Sequence, residues 1–457
     1  MTSDLLQSLV EMVPGGPVNG SIRPPGSKSL TNRALVCAAF AEGDSILSGA
    51  LQSDDTHVMI EALRELGVVV SEPGQRHSLH VSGAGAARPR NASSGASSLF
   101  IGNSGTTIRF LTAALSAYGG VYRLHGVPRM HQRPIGDLVN ALTPVCDGTV
   151  LCESPGGCPP VLIKTNGWSG DHIKVAGSVS SQYLSGLMMA TPIARKKVRI
   201  EVTGELVSRP YVEMTARILQ DFGATTCFTE ADTNSGGEAG ALVCEIDGTG
   251  GYQACDYKIE PDASAASYFW AAAAISGGIV TVEGLGPQAI QGDVGFVDCL
   301  EQMGCTVNRS ADQITVTGSS QIHGIDIDMN AISDTVQTLS VVALFGDRPT
   351  RIRGVAHNRF KETDRIGDLA RELRKLGAVV HEHEDGMTIE PIERVNDFVG
   401  ATLETYDDHR MAMSLTLAGL RMPSVRISNP ACTAKTYPEY FADMERLIGR
   451  AHRWQMV

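Results

Sequence analysis

Aromatic residues are scarce, at 5% of the chain, and no run of apolar residues reaches the roughly 18 to 20 needed to cross a bilayer. A membrane span is therefore not expected. Basic residues are in deficit too: the net charge of −12 disfavours nonspecific binding to nucleic acid or to acidic membranes. The opening segment MTSDLLQSLVEMVPGGPV has no basic leader before an apolar core, so neither a signal nor a transit peptide is expected, and a cytoplasmic location follows by default. The ten cysteines contain no CxxC. Cys146, Cys152 and Cys158 recur every six residues, but without nearby histidines that spacing makes no zinc site, and reduced thiols are expected. With no HExxH and no clustered histidines, no metal is implied.

What the chain has in quantity is glycine, 49 residues, and an internal period. Six β-rich runs close on a turn residue, at Gly49, Gly126, Gly204, Gly284, Gly354 and Asn429, with gaps of 70 to 80 residues. A helix-like segment follows each turn, and in most copies it ends on Gly and a β-branched run, as in LRELGVVV, ILQDFGATT, LEQMGCTV and LRKLGAVV. A second helix precedes each turn: KSLTNRALVCAAF, TTIRFLTAALSAY, SSQYLSGLMMATP, ASAASYFWAAAAI, DTVQTLSVVALFG and DHRMAMSLTLAGL. Repeats this long exceed the usual solenoid unit, so each reads as a βαβ-containing module that packs against its siblings. At 457 residues two domains are expected, hence two lobes of three modules. The second helices are apolar nearly all round and should be buried. If they run parallel, their unpaired N–H groups converge on a face that attracts anions. The Gly-, Ser- or Ala-rich segments 88–98 and 234–240 read as surface loops.

Charged and hydroxylated residues gather at those helix starts. PGSKSLTNRAL puts Ser27, Lys28 and Ser29 at one start with Arg33 about a turn and a half in, an anion cradle that is not a P-loop because the upstream Gly is missing. GNSGTTIRF repeats the device with Asn103, Gly105, Thr106 and Arg109, and the absence of a Cβ at Gly105 leaves room for a ligand beside the backbone. GVPRMHQRPIGDL adds Arg129 and Arg133. Farther on, FKETDRIGDL carries Lys361, Glu362, Asp364 and Arg365, TYDDHRMAM carries Asp408, His409 and Arg410, and ACTAKTYPEYF carries Lys435. Asp334 stands at the start of an apolar helix, where capping alone would account for it. Glu362 could likewise be a helix ion pair, and His409 an orienting neighbour without a role in proton transfer.

Taken in order, PGSKSLTNRAL, GNSGTTIRF, RPIGDL, SSQYLSGLMM, SRPYVEMT, PDASAASYFWAAAAI, KETDRIGDL, DDHRMAM and AKTYPEYF resemble the 5-enolpyruvylshikimate-3-phosphate synthase family, from about residue 13 to the C-terminus. The resemblance implies an α/β fold, a two-lobed inside-out α/β barrel with three βαβαββ-type repeats and buried parallel helices in each lobe. Residues 1–24 and 258–457 would form the C-terminal lobe and 25–257 the N-terminal lobe, the monomer closing on two anionic substrates. It implies transfer of the enolpyruvyl group of phosphoenolpyruvate to the 5-hydroxyl of shikimate 3-phosphate, with no cofactor. Carried over by motif, Lys28, Gly105, Arg133, Gln182, Arg365, Arg410 and Lys435 would hold phosphoenolpyruvate. Ser29, Arg33, Ser180, Ser181, Gln182, Ser208, Tyr211, Asp334, Lys361 and His357 or its neighbour Asn358 would hold shikimate 3-phosphate. Glu362 would be the acid and Asp334 the base, with Lys28 sharing proton traffic and Arg109 supporting the phosphate-facing loop. Three positions depart from the common pattern: Ser104 replaces Ala, Phe110 replaces Pro and His357 replaces Asn. Gly105 lacks the methyl of glyphosate-tolerant variants, from which sensitivity is expected. The sister transferase acting on UDP-N-acetylglucosamine carries a reactive Cys before its equivalent of Arg133, and none lies between Gly126 and Arg133 here. A non-catalytic phosphosugar-binding protein on the same scaffold should have lost Asp334, Glu362 or Lys28, all of which are present.

Overall fold

A computed structural model describes residues 8–72, 74, 77–85, 97–230, 241–392 and 400–456. The presumed loops at 88–98 and 234–240 lie outside these residues, except that Ser97 and Ser98 begin the strand Ser97–Phe100. The chain divides into two compact units, one of Met1–Pro25 with Glu260–Val457 and the other of Gly26–Ile259.

Among the described residues each unit contains three sheets, and all six follow one pattern, a parallel pairing extended by two antiparallel strands; in one of them Ala41–Ser48 takes two short parallel partners, Tyr252–Gln253 and Asp256–Lys258. In Gly26–Ile259, for example, His172–Ala176 lies parallel to Lys197–Thr203, which pairs antiparallel with Leu242–Asp247 and through it with Thr225–Glu230. The other unit draws on the start of the chain. Asn19–Ile22 is the parallel partner of Ile279–Glu283, and Ser8–Glu11 lies antiparallel between Val425–Ser428 and Arg453–Met456.

Six helices form the interior: α1 (Lys28–Ala39), α2 (Gly105–Tyr118) and α3 (Ser181–Ala194) in one unit, and α4 (Ala263–Ser276), α5 (Val336–Ala343) and α6 (His409–Thr416) in the other. They are buried on nearly every side because most of their residues are small or apolar, and many of their hydroxyls bond inside the unit. Ser267 on α4, Thr338 on α5 and Ser414 on α6 form one such chain, with oxygen separations of 3.1 and 3.3 Å. Gly186 lets α3 approach α2, since a Cβ there would stand 3.2 Å from the Arg109 carbonyl oxygen. Among the turn residues expected from the period, Gly49, Gly204, Gly284, Gly354 and Asn429 have positive φ. Gly126 does not. It is required for a different reason, because a Cβ would lie 2.1 Å from the Gly102 carbonyl oxygen.

Helix starts are capped as their residues suggest. Ser27, Ser104 and Ser180 accept from backbone N–H groups at α1, α2 and α3, as do Asp262 and Asp408 at α4 and α6. The fifth start differs. A 3-10 turn, Asn330–Thr335, leads into α5 and is kinked at Ile332, so Asp334 lies within it and does not cap.

Trp270 anchors α4. Its ring is fully buried, and Nε1 donates to the Ile314 carbonyl at 3.2 Å. Trp270→Ala should destabilise that unit by about 3–5 kcal/mol, counting lost transfer energy and the residual cavity. Urea unfolding followed by far-UV circular dichroism measures the loss; a midpoint equal to wild type would show that this ring does not anchor the core.

Candidate active site

In the unit Gly26–Ile259 the predicted residues gather at the N-terminal ends of α1, α2 and α3. Lys28 opens α1, with its ammonium 3.8 Å from the buried carboxylate of Asp55. Arg133, 4% exposed, donates to Asn103 O at 3.1 Å and Oδ1 at 3.4 Å, which aims the guanidinium across the start of α2. Gly105 is essential to that aim: a Cβ would stand 2.5 Å from Arg133 Nη2. Gln182 on α3 ties the group together, accepting from Arg109 Nη1 at 2.6 Å and donating to Thr106 Oγ1 at 3.4 Å. Arg109 also donates to Pro134 O and lies over the Tyr183 ring. Arg129 donates to Gln132 Oε1 at 3.2 Å.

Arg33 is engaged within its unit. Nε donates to Thr215 Oγ1 at 2.7 Å, Nη1 to Ser29 O at 2.9 Å, and Nη2 to Ser185 Oγ and Tyr211 O. Its guanidinium sits 5.0 Å from the centre of the Phe110 ring, so the departure from proline gives this buried cation an aromatic face. Burial lowers Arg33 to about 10, which leaves it charged at neutral pH. The other departure on α2, Ser104, is the cap noted above. Ser180 and Ser181 open α3, and Ser208, buried with φ of 53°, precedes the helix Arg209–Asp221 that carries Tyr211.

The second group belongs to the other unit and is built around Arg365, 2% exposed at its side chain. Nε and Nη2 grip Asp408 at 2.7 and 3.2 Å, Nη1 reaches Asp334 at 3.1 Å, and Nη2 reaches Glu362 at 2.8 Å. Two of the three carboxylates serve further cations: Asp334 meets Arg410 at 2.7 Å and Lys361 at 3.5 Å, and Glu362 meets Lys435 at 2.8 Å. Asp334 is thus an ionic partner, not a cap. Its sequence position suggested capping because the kink at Ile332 and the partners 31 and 76 residues away are invisible locally. Asp408 caps α6 through Arg410 N at 2.8 Å while holding Arg365, and so fixes two cations at once. The sequence reading gave no role to Asp408 or to Asp55; their position beside a motif cation was the available signal.

Burial works against charge on Arg365, but Asp408, Glu362 and Asp334 outweigh it and raise its pKa. The imidazoles behave oppositely. His357 is held down to about 3 by burial and then by Lys361, and His409 falls well below its usual value through burial and the adjacent Arg410. Asn358, the alternative to His357, is fully buried and donates to the Ser333 carbonyl at 2.9 Å. No group of three or more His, Cys, Asp or Glu suited to a metal occurs among the described residues.

Those neutral imidazoles make stability depend on pH. Unfolded, they titrate near 6.5, so as pH falls the unfolded chain binds protons before the fold does. Their contribution is complete above that value and is lost as pH falls toward about 3. The melting temperature should therefore be higher at pH near 7.5 than near 5, and His357→Gln should narrow the difference; an unchanged difference would show that His357 titrates normally.

The geometry joins known proteins at this point. The family model for EPSP synthase (3-phosphoshikimate 1-carboxyvinyltransferase) matches residues 12–444. A 3-phosphoshikimate 1-carboxyvinyltransferase from Nostoc sp. is 44% identical over 432 residues, covering 94% of this chain and 97% of the relative. The chloroplastic protein of that name from Arabidopsis thaliana is 42% identical, covering 94% of this chain and 82% of the relative. A solved EPSP synthase from Acinetobacter baumannii superposes with a TM-score of 0.78 at 26% identity, covering 98% of this chain and all of that one. The two-lobed α/β fold expected from the repeats is the fold of these enzymes, and the chain belongs to the EPSP synthase family.

Proposed function

We propose that the chain transfers the enolpyruvyl group of phosphoenolpyruvate to the 5-hydroxyl of shikimate 3-phosphate and releases phosphate. The observation that carries this reading is the Arg365 group: two carboxylates, buried Glu362 and part-buried Asp334, sharing four cations. An enol ether carbon becomes electrophilic only when its methylene is protonated, so the reaction needs an acid at that carbon and a base at the attacking hydroxyl.

Asp334 is assigned the base: its carboxylate lies 2.7 Å from Arg410, 3.1 Å from Arg365 and 3.5 Å from Lys361, and it would accept the hydroxyl proton. Glu362 is assigned the acid. Between Arg365 and Lys435 it is held as a carboxylate, and those cations are the ones assigned to phosphoenolpyruvate. When the substrate's own anionic oxygens take Arg365 and Lys435, Glu362 loses its countercharges and becomes able to carry a proton to the methylene. Departure of phosphate, with a proton of the new methyl group returning to Glu362, restores the carbon–carbon double bond and frees the cations.

Phosphoenolpyruvate is assigned to Lys28, Gly105, Arg133, Gln182, Arg365, Arg410 and Lys435, and shikimate 3-phosphate to Ser29, Arg33, Ser180, Ser181, Gln182, Ser208, Tyr211, Asp334, His357 and Lys361. Two substrates that each bring a phosphate and a carboxylate repel one another, which explains the number of cations. His357 is the better candidate of its pair, since Asn358 is fully buried and its Nδ2 donates to Ser333 O. The protein acts as a monomer in the cytoplasm in this reading; no helix among the described residues is long and apolar enough to cross a membrane. The UDP-N-acetylglucosamine enzyme is disfavoured because Gly126–Arg133 holds no cysteine.

Phosphate release should require both substrates. Glu362→Gln should fold as wild type and lose turnover by about 10²–10⁴-fold; turnover close to wild type would reject Glu362 as the acid. Gly105 supplies a second expectation. Glyphosate should inhibit the wild type below millimolar concentration, and Gly105→Ala, whose methyl displaces Arg133, should raise the KM for phosphoenolpyruvate about tenfold while weakening inhibition. A wild-type enzyme still active in millimolar glyphosate, with normal substrate affinity, would overturn the sensitivity.

A further inference from the structure

The Asp408 carboxylate that grips Arg365 emerges from a turn in an unfavourable backbone state. Tyr406 and Asp407 both lie in the left-handed region, at φ of 53° and 57°. An aspartate tolerates that region, whereas a bulky residue such as tyrosine stays there only when its surroundings hold it. Here they do. The Tyr406 hydroxyl donates to Glu372 Oε1 at 2.6 Å, and the Glu404 backbone N–H donates to Glu372 Oε2 at 2.9 Å. One carboxylate therefore grips the chain at two points just before Asp408.

Glu372 is itself fully buried, with Lys375 Nζ 2.6 Å from Oε2. Arg371 donates to the Tyr406 hydroxyl at 3.1 Å and lays its guanidinium 5.7 Å from the ring centre. On the opposite side of the turn, Asn429 Nδ2 donates to Asp407 Oδ1 at 3.2 Å. Both grips lead back to the same place, since Glu372 lies on the helix Gly367–Lys375, which follows directly on Arg365. The segment carrying Arg365 and the turn carrying Asp408 are thus fastened twice, once by the ion pair itself and once by Glu372 and Tyr406.

We propose that Tyr406 and Glu372 are positioning residues that set the register of this turn, so that Asp408 presents Arg365 and Arg410 in the geometry phosphoenolpyruvate requires. This rests on the assignment of those two arginines to phosphoenolpyruvate. A bond that serves stability alone would have no reason to hold a tyrosine backbone in this state two residues before the carboxylate that aims both cations.

Tyr406→Phe removes one hydroxyl and keeps the ring over Arg371. Glu372→Gln keeps size and shape but turns an amide donor toward one of two donors. With the full-length protein, steady-state kinetics with phosphoenolpyruvate and with shikimate 3-phosphate varied in turn should show the KM for phosphoenolpyruvate raised about tenfold in either variant, with the KM for shikimate 3-phosphate within about twofold of wild type. A variant that melts lower yet keeps both KM values, or one in which both rise together, would overturn the proposal, and either variant suffices if the other fails to fold. Absence of turnover in the wild type would strike the substrate assignment instead, so the two failures are distinguishable.

Discussion

A buried guanidinium ringed by carboxylates governs the discontinuous unit. Arg365 cannot shed its charge, and leaving it unpaired in the interior would cost several kcal/mol, so Asp408, Asp334 and Glu362 must stand where they do. Their positions in turn place Arg410, Lys361 and Lys435. The chain segments bearing these residues are far apart in sequence. What brings them together is the repeated module, which sets each helix start at an equivalent point of its own sheet.

The two units solve the same electrostatic problem differently. In Gly26–Ile259 the cations are steadied chiefly by neutral groups: Asn103 and backbone oxygen for Arg133, Gln182 for Arg109, hydroxyls and carbonyls for Arg33. In the other unit the cations meet carboxylates: Arg365 meets Asp408, Asp334 and Glu362, Arg410 and Lys361 meet Asp334, and Lys435 meets Glu362. Under the proposed function, substrate binding there exchanges internal for external negative charge and is coupled to the protonation state of the carboxylates released.

Much of the scaffold was legible in the sequence because it rests on local signals. The six interior helices, their serine caps at Ser27, Ser104 and Ser180, and positive φ at Gly49 or Gly204 follow from patterning and steric permission. The candidate site was legible as residue types: cations at helix starts and carboxylates near them. Partnership was not. Asp334 looked like a cap because its partners lie 31 and 76 residues away, and Asp408 carried no signal beyond its place beside a motif cation. Nothing local marks Tyr406 for the left-handed region, since tyrosine avoids it; only Glu372 on a neighbouring helix makes that conformation tenable. The Phe110 ring beneath Arg33 was visible only as a departure, and its purpose depends on a helix one module away.

The placement of the first strands has a consequence for biogenesis. Gly26–Ile259 is continuous, and all three of its sheets draw on strands from within it. It can complete itself on the ribosome soon after residue 259 has emerged. Ser8–Glu11, by contrast, is flanked in its sheet by Val425–Ser428 and Arg453–Met456, so it waits for partners synthesised long after it. Until they emerge it is an orphan tethered to a finished neighbour.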